Sequence, residues 1–161
     1  MNKLNHIAFI MDGNGRWGKK KKKNRNFGHY SGVKTVKKIV EASIKLNIPI
    51  VTFYVFSTEN WKRPKTEINF LFSLVHSYFK TELKQVIKNG IKIKIIGEHS
   101  KLPLKLRKVL HESETKTKKN RKIIVNLALN YGSKFELINA FKKLIFSNLV
   151  DCPIKLGMYS K

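Results

Sequence analysis

A chain of 161 residues with 42% hydrophobic and 11% aromatic content is long enough for one domain with a genuine core and too apolar for a disordered segment. No apolar run approaches the ~18 residues of a membrane span, and no extended apolar stretch follows Lys3 as a signal peptide would require. The net charge of +24 invites a nucleic-acid or anionic-membrane reading, but 29 of the 34 basic residues are lysine and only 5 are arginine, which weakens the case for a reader of bases.

The lone Cys152 excludes an internal disulfide and fits a reducing, cytoplasmic compartment. Five scattered histidines give no zinc-site spacing. Lysine, asparagine (14) and isoleucine (17) share A/T-rich codons, so genome bias accounts for most of the charge. The run Lys19–Lys23 reads as a solvated, mobile loop.

In chain order, the apolar residues 6–11 read as a buried strand that stops at Asp12 and a glycine-rich loop before a helix. Residues 29–46 read as a helix with Val33, Val36, Val40 and Ile44 on one face. The β-branched and aromatic run Ile50–Phe56 is a second buried strand, followed by a polar loop from Ser57 to Pro64. Thr66 can cap a long helix that reaches about Asn89 and ends at Gly90. Ile91–Ile96 is a third strand, Ser100 and Pro103 start a helix to about Lys118, and Ile123–Asn130 is a fourth strand. Residues 131–133 turn into a last helix to roughly Ser147. The alternation predicts an α/β fold, a central, mainly parallel sheet flanked by helices.

The helix at 66–89 carries one stripe of Ile68, Leu71, Phe72, Val75, Phe79, Leu83 and Val86, which Phe70, Leu74 and Tyr78 broaden past one face. Spacing alone favours a helix buried against sheet and neighbour; the sharper reading is that the extra face lines a greasy channel.

Chemistry concentrates where the strands end. Gly13 and Gly15 let backbone N–H groups approach an anion, Asp12 can hold a hard cation, and Arg16 can pair with phosphate oxygens. A cation, an anion cradle and an arginine within five residues suit a diphosphate. In a parallel sheet such a cradle lies at the carboxyl ends of the strands. Arg25 and His29, in RNFGH, and the loop FSTENWKRP fall at that edge. Taken singly, each residue has a plainer reading: a tight turn at the glycines, partly buried tryptophans at 17 and 61, a cap at Ser57, a loop amide at Asn60.

HIAFIMDGNGRW, RNFGH and FSTENWKRP together resemble the first motifs of the cis-prenyltransferases, the undecaprenyl diphosphate synthase family, and KIKIIGE and NLALNYG resemble later segments. The resemblance covers roughly residues 6–147, and it implies an isoprenyl transferase that condenses isopentenyl diphosphate with an allylic diphosphate such as farnesyl diphosphate. It implies Mg²⁺ on Asp12, and an allylic diphosphate held by Gly13, Asn14, Gly15 and Arg16 with Trp17, Arg25 and His29 around it. Ser57, Thr58, Glu59, Trp61 and Arg63 take substrate-binding positions, Asn60 a role in removing the proton, and Glu67 that of a carboxylate ordering the loop. It implies a homodimer, with peripheral membrane association and no nucleic acid.

The chain departs from the family pattern late. Ser133 and Lys134 stand where the family shows glycine and arginine, and the motif RxxGExRxSNFLLWQ, source of further arginines and a metal glutamate, has no counterpart after Asn148. The expectation is an incomplete domain over 1–147, lacking the last strand and C-terminal helices, with an unassigned tail at 148–161. A non-catalytic remnant or subunit of the same fold is the alternative, and a basic nucleic-acid-binding protein a distant third.

Overall fold

The computed structural model describes residues 4–21 and 23–146. Its first compact unit runs to Tyr131. Strand β1 (His6–Ile10) leads to helix α1 (Asn14–Lys20) and helix α2 (Arg25–Lys45). Strand β2 (Ile50–Ser57) passes through a single 3₁₀ turn (Thr58–Lys62) into α3 (Lys65–Lys88), and β3 (Ile91–Ile96), α4 (Leu104–Thr117) and β4 (Ile123–Tyr131) follow. The four strands form one all-parallel sheet in the order β1-β2-β4-β3, which agrees with the expected fold class.

The core lies on one face of this sheet. Val51 and Phe53 of β2, Ile93 and Ile95 of β3 and Val125 and Leu127 of β4 are buried there, against Val40 of α2 and Ile68, Phe72 and Phe79 of α3. Helix α4 covers the β3 edge, which would otherwise be a template for stray pairing. Thr117 Oγ1 accepts from the Ile93 N–H (3.0 Å), and Glu114 Oε1 from the Ile95 N–H (2.8 Å).

Three local readings need correction. Strand β1 is not a buried strand: it is the sheet edge, none of its five residues is buried, and Ile10 is 81% exposed. An apolar run does not report how many neighbours the strand will have. Lys19 and Lys20 close helix α1 rather than lying in a loop, because the Trp17 N–H on the Gly13 carbonyl and the Lys21 N–H on the Trp17 carbonyl continue the helical turn and cations favour a helix C-terminus. Helix α3 starts at the N-cap Pro64, so Thr66 lies inside it; proline fixes φ and suits a helix entry. The other end behaves as expected, with Gly90 at φ +69° beyond Asn89.

A second unit begins at Gly132 and holds α5 (Ser133–Phe146), whose first turn is closed by the Glu136 N–H on the Gly132 carbonyl (2.9 Å). Its Leu137, Ile138 and Phe141 are exposed. The segment 148–161, expected as an unassigned tail, lies outside the described residues, as does the expected domain limit at 147. Among the described residues no helix is long and apolar enough to cross a membrane.

Candidate active site

The loop after β1 is shaped by its glycines. Gly13 sits at φ +81°, a region that costs an L-residue roughly 1–2 kcal/mol, and caps α1 without a side chain. Asp12 turns back over it: Oδ1 accepts from the Gly13 N–H (2.6 Å), and Oδ2 accepts from Arg16 Nη2 (2.9 Å). The Gly13 amide first, and the Arg16 charge second, hold the Asp12 carboxyl below its usual range, so it is anionic at neutral pH. It is also open to solvent, with its side chain 69% exposed.

Helix α1 lies directly on the start of α2. A Cβ on Gly28 would fall 1.9 Å from the Asn14 carbonyl oxygen, and one on Gly32 would fall 2.7 Å from Asn14 Nδ2. Asn24 caps α2 by accepting from the Phe27 N–H (2.8 Å), which fixes where the helix begins. The bare face of Gly15 leaves room for the Arg25 guanidinium, 3.2 Å from where a Cβ would stand. These contacts bring residues 12–16 next to Arg25 and His29.

Glu67 gathers the basic side chains. It is 8% exposed and accepts three bonds, from Arg25 Nε (3.0 Å), His29 Nε2 (3.0 Å) and Arg63 Nη1 (3.2 Å). Burial pushes its carboxyl up, but the bonds from His29 and Arg25 and the charges of Arg25 and Arg63 outweigh burial and hold it below the usual range. Each arginine spends one nitrogen on Glu67, and among the described residues no other partner takes the rest of its fork. The field of Arg63 also reaches Asp12.

The turn after β2 is held from both sides. Asn60 Oδ1 accepts from the Ser57 N–H (3.2 Å), which closes the 3₁₀ turn. Trp61 packs edge-on against Phe56 and Phe72 and donates from Nε1 to Asn130 Oδ1 (2.7 Å). Asn130 is 2% exposed, adopts φ +50°, and donates from Nδ2 to the Glu98 carbonyl (2.8 Å). It therefore ties the ends of β2, β3 and β4 together. No sequence motif singles it out; its signal is an amide that follows the apolar run Leu127–Leu129. Glu59 is exposed, with its carboxyl lowered by its own backbone N–H and by the Ser57 and Thr58 hydroxyls.

The expected site residues thus divide. Asn14, His29 and Arg63 line one cavity together with Met11, Val33 and Leu74. Arg25 joins them through Glu67, and Asp12 and Arg16 pair at its edge. Thr58 and Glu59 bond one another on the turn. Trp17 is drawn to the outside, its ring stacked on Phe27 at 5.8 Å.

Behind that mouth the walls become apolar. The cavity shares Val33, Val36, Val55 and Val75 with a second, of about 80 Å³, closed by Tyr78, Phe79, Leu127 and Leu129. A third continues past Tyr78 and Phe79 to Val86 and Ile91. Helix α3 serves both expected roles: Ile68, Phe72 and Phe79 are buried in the core, and Leu71, Leu74, Val75 and Tyr78 face the channel.

No group of three or more His, Cys, Asp or Glu side chains is placed to hold a metal among the described residues. The donor set fits a divalent hard cation shared with a phosphate ligand, since Mg²⁺ is commonly held by one or two carboxylates plus phosphate oxygens and water. Asp12 is anionic, exposed and beside the arginines.

Comparison with known proteins agrees with this geometry. The family model for undecaprenyl diphosphate synthase matches residues 10–156. Over 139 residues the chain is 49% identical to an isoprenyl transferase of Shouchella clausii, covering 86% of this chain and 54% of that one. Over 142 residues it is 45% identical to a farnesyl-diphosphate-specific ditrans,polycis-undecaprenyl-diphosphate synthase of Buchnera aphidicola, covering 88% of this chain and 57% of that one. The crystal structure of lavandulyl diphosphate synthase from Lavandula x intermedia, in complex with dimethylallyl diphosphate, superposes with a TM-score of 0.86 at 27% identity, over 90% of this chain and 62% of that one. The chain spans about half the length of the curated relatives it matches.

Proposed function

The chain belongs to the undecaprenyl diphosphate synthase family of cis-prenyltransferases, and from that premise we propose that it condenses isopentenyl diphosphate with an allylic diphosphate to build a cis-polyprenyl diphosphate, a lipid carrier for cell-wall synthesis. The observation that carries this reading is the union of an anion-binding mouth with an apolar channel. Asn14, His29 and Arg63 line the mouth, and the same cavity runs on between Val33, Val55 and Val75. A molecule with a doubly charged head and a hydrocarbon tail satisfies both ends.

The chain's own residues supply most of the chemistry. Breaking the allylic carbon–oxygen bond builds negative charge on the leaving diphosphate. Arg25 and Arg63, already aimed by Glu67, and Arg16 beside them stabilise that charge with little reorganisation, which is where such donors act most strongly. Gly13 and Gly15 allow the loop backbone to come close. The valine walls keep water from the electron-poor carbon. Asn60 has its carbonyl oxygen engaged by the Ser57 N–H, so it serves as a donor from Nδ2 and orients the incoming unit, while a diphosphate oxygen takes the proton. Asp12 would hold Mg²⁺, which supplies charge neutralisation to the leaving group. The farnesyl specificity of the Buchnera relative supports a farnesyl primer. Family membership supports a homodimer in the cytoplasm, with peripheral contact to the membrane that its product enters.

The test is condensation by the full chain, read as incorporation of labelled isopentenyl diphosphate into organic-extractable product with farnesyl diphosphate and Mg²⁺. Asp12→Ala is expected to abolish product with an unchanged melting curve. Equal product from mutant and parent would sink the assignment.

A further inference from the structure

We propose that the exposed ring cluster Trp17–Phe27–Tyr30, with the lysines around it, is a docking surface for an anionic lipid bilayer, placed so that a side opening of the channel between α2 and α3 meets the membrane. Trp17 and Phe27 stack nearly parallel (5.8 Å, 8°), yet they remain 43% and 40% exposed. Tyr30 follows one turn along α2 and is 51% exposed, with Lys34 Nζ 4.9 Å above its ring. Lys20 and Lys21 stand three and four positions beyond Trp17, on its side of α1, and Lys19 and Lys23 are exposed beside them. Three large, half-exposed rings with exposed lysines close to them in the chain mark an interaction site.

The cluster is continuous with the channel. A groove of about 300 Å³ between α2 and α3 is lined by Tyr30, Val33, Lys34, Lys37, Leu74 and Tyr78 among others. Val33 and Tyr78 also line the apolar cavity that adjoins it. The aromatic face therefore leads, through Tyr30 and Lys34, into that groove.

The chemistry favours lipid over nucleic acid. Aromatic rings with adjacent lysines suit the headgroup boundary of a bilayer, and each lysine near an anionic surface adds to the attraction. A single-strand binder presents free ring faces for bases to stack on; here Trp17 and Phe27 spend a face on each other. Among the described residues, the unpaired charges beside the rings are lysine point charges, whereas the neighbouring Arg16 and Arg25 are paired with Asp12 and Glu67. The reservoir of +24 supplies long-range attraction to either polyanion, so the rings decide. Only the purpose of the channel opening rests on the proposed prenyl transfer; the surface does not.

The experiment is flotation of the full chain with vesicles of phosphatidylcholine alone, or with about a third phosphatidylglycerol. Binding is expected only to the anionic vesicles and is expected to weaken as salt shortens the screening length. Replacing Lys20, Lys21 and Lys34 together by glutamine should lower the partition constant on the order of 100-fold. Tyr30→Ser should lower it further, with circular dichroism unchanged. Replacing Lys105 and Lys108 of α4 and Lys119 just beyond it together removes the same charge and should change it only a few-fold. An equal loss from both triple variants overturns the proposal, because generic charge would then explain the binding. So does an oligonucleotide that binds the same lysines more tightly than the vesicles. Vesicle binding without condensation supports this surface and counts against the catalytic reading; condensation without vesicle binding does the reverse.

Discussion

Replacing Glu67 by glutamine keeps the shape of the side chain, removes its charge, and turns one acceptor into a donor facing an arginine. Three bonds weaken at once, from Arg25, His29 and Arg63. A hydrogen bond to a buried charge contributes about 1.5–3 kcal/mol, and His29 shares the burial of Glu67. Arg25 and Arg63 are 42% and 31% exposed at the side chain, so solvent screening brings each of them nearer to ~0.5 kcal/mol. The expected loss is about 2.5–4 kcal/mol at pH 7, or roughly 5–16 °C in melting temperature for a chain of this length. The sign with pH follows from the carboxyl being held below its usual range in the fold. Its contribution is fully present above the unfolded value of about 4.3 and is lost as pH falls through the folded value. Melting curves of parent and Glu67→Gln should therefore separate at pH 7 and converge as acid protonates the folded-state carboxyl. The allylic diphosphate KM should rise at least tenfold, because both arginines lose their alignment. A melting difference that does not shrink at any pH on acidification would show that shape, not charge, holds this cluster, and the reasoning would fail.

Two further substitutions probe how the site is held. Gly28→Ala should lower stability by about 3 kcal/mol or more in chemical denaturation, since its methyl group would overlap the Asn14 carbonyl and lift α1 from α2. Gly13→Ala, which meets open space and only backbone strain, should cost about 1 kcal/mol; a ranking in the other order would count against the close packing of the two helices. Trp61→Phe keeps the ring contacts with Phe56 and Phe72 but leaves the buried Asn130 Oδ1 without its donor. A cost of about 1–3 kcal/mol in urea unfolding is expected, together with a rise in KM, and an unchanged denaturation midpoint would remove Asn130 from its positioning role.

Most elements were legible because their periodicity is local. The alternation in 91–96 and the β-branched run at 50–56 return as β3 and β2 within a residue. What stayed hidden depends on residues far apart in the chain. The edge position of β1 follows from which strand it pairs with, not from its own apolar residues. The Trp61–Asn130 bond spans 69 positions, and the bonds of Arg25 and His29 to Glu67 span 42 and 38. A sequence pattern can place each partner on an element, but only the sheet order brings the partners together.

Helix α3 shows why the channel could not be separated from the core by spacing. Core residues Ile68, Phe72 and Phe79 alternate at helical intervals with Leu71, Val75 and Tyr78 of the channel, so the two faces merge into one broad stripe. The first turn of the same helix carries Glu67, where the positive end of the helix dipole favours a carboxylate. One helix therefore holds the anion that aims the arginines and, from Leu71 onward, the apolar wall of the channel. Under the proposed prenyl transfer, the spacing between a diphosphate and the start of its apolar tail is thereby set by about one turn of a rigid helix, ~5.4 Å. Because that distance is built into an element packed on the sheet, head and tail are positioned together, and displacing α3 would disturb both.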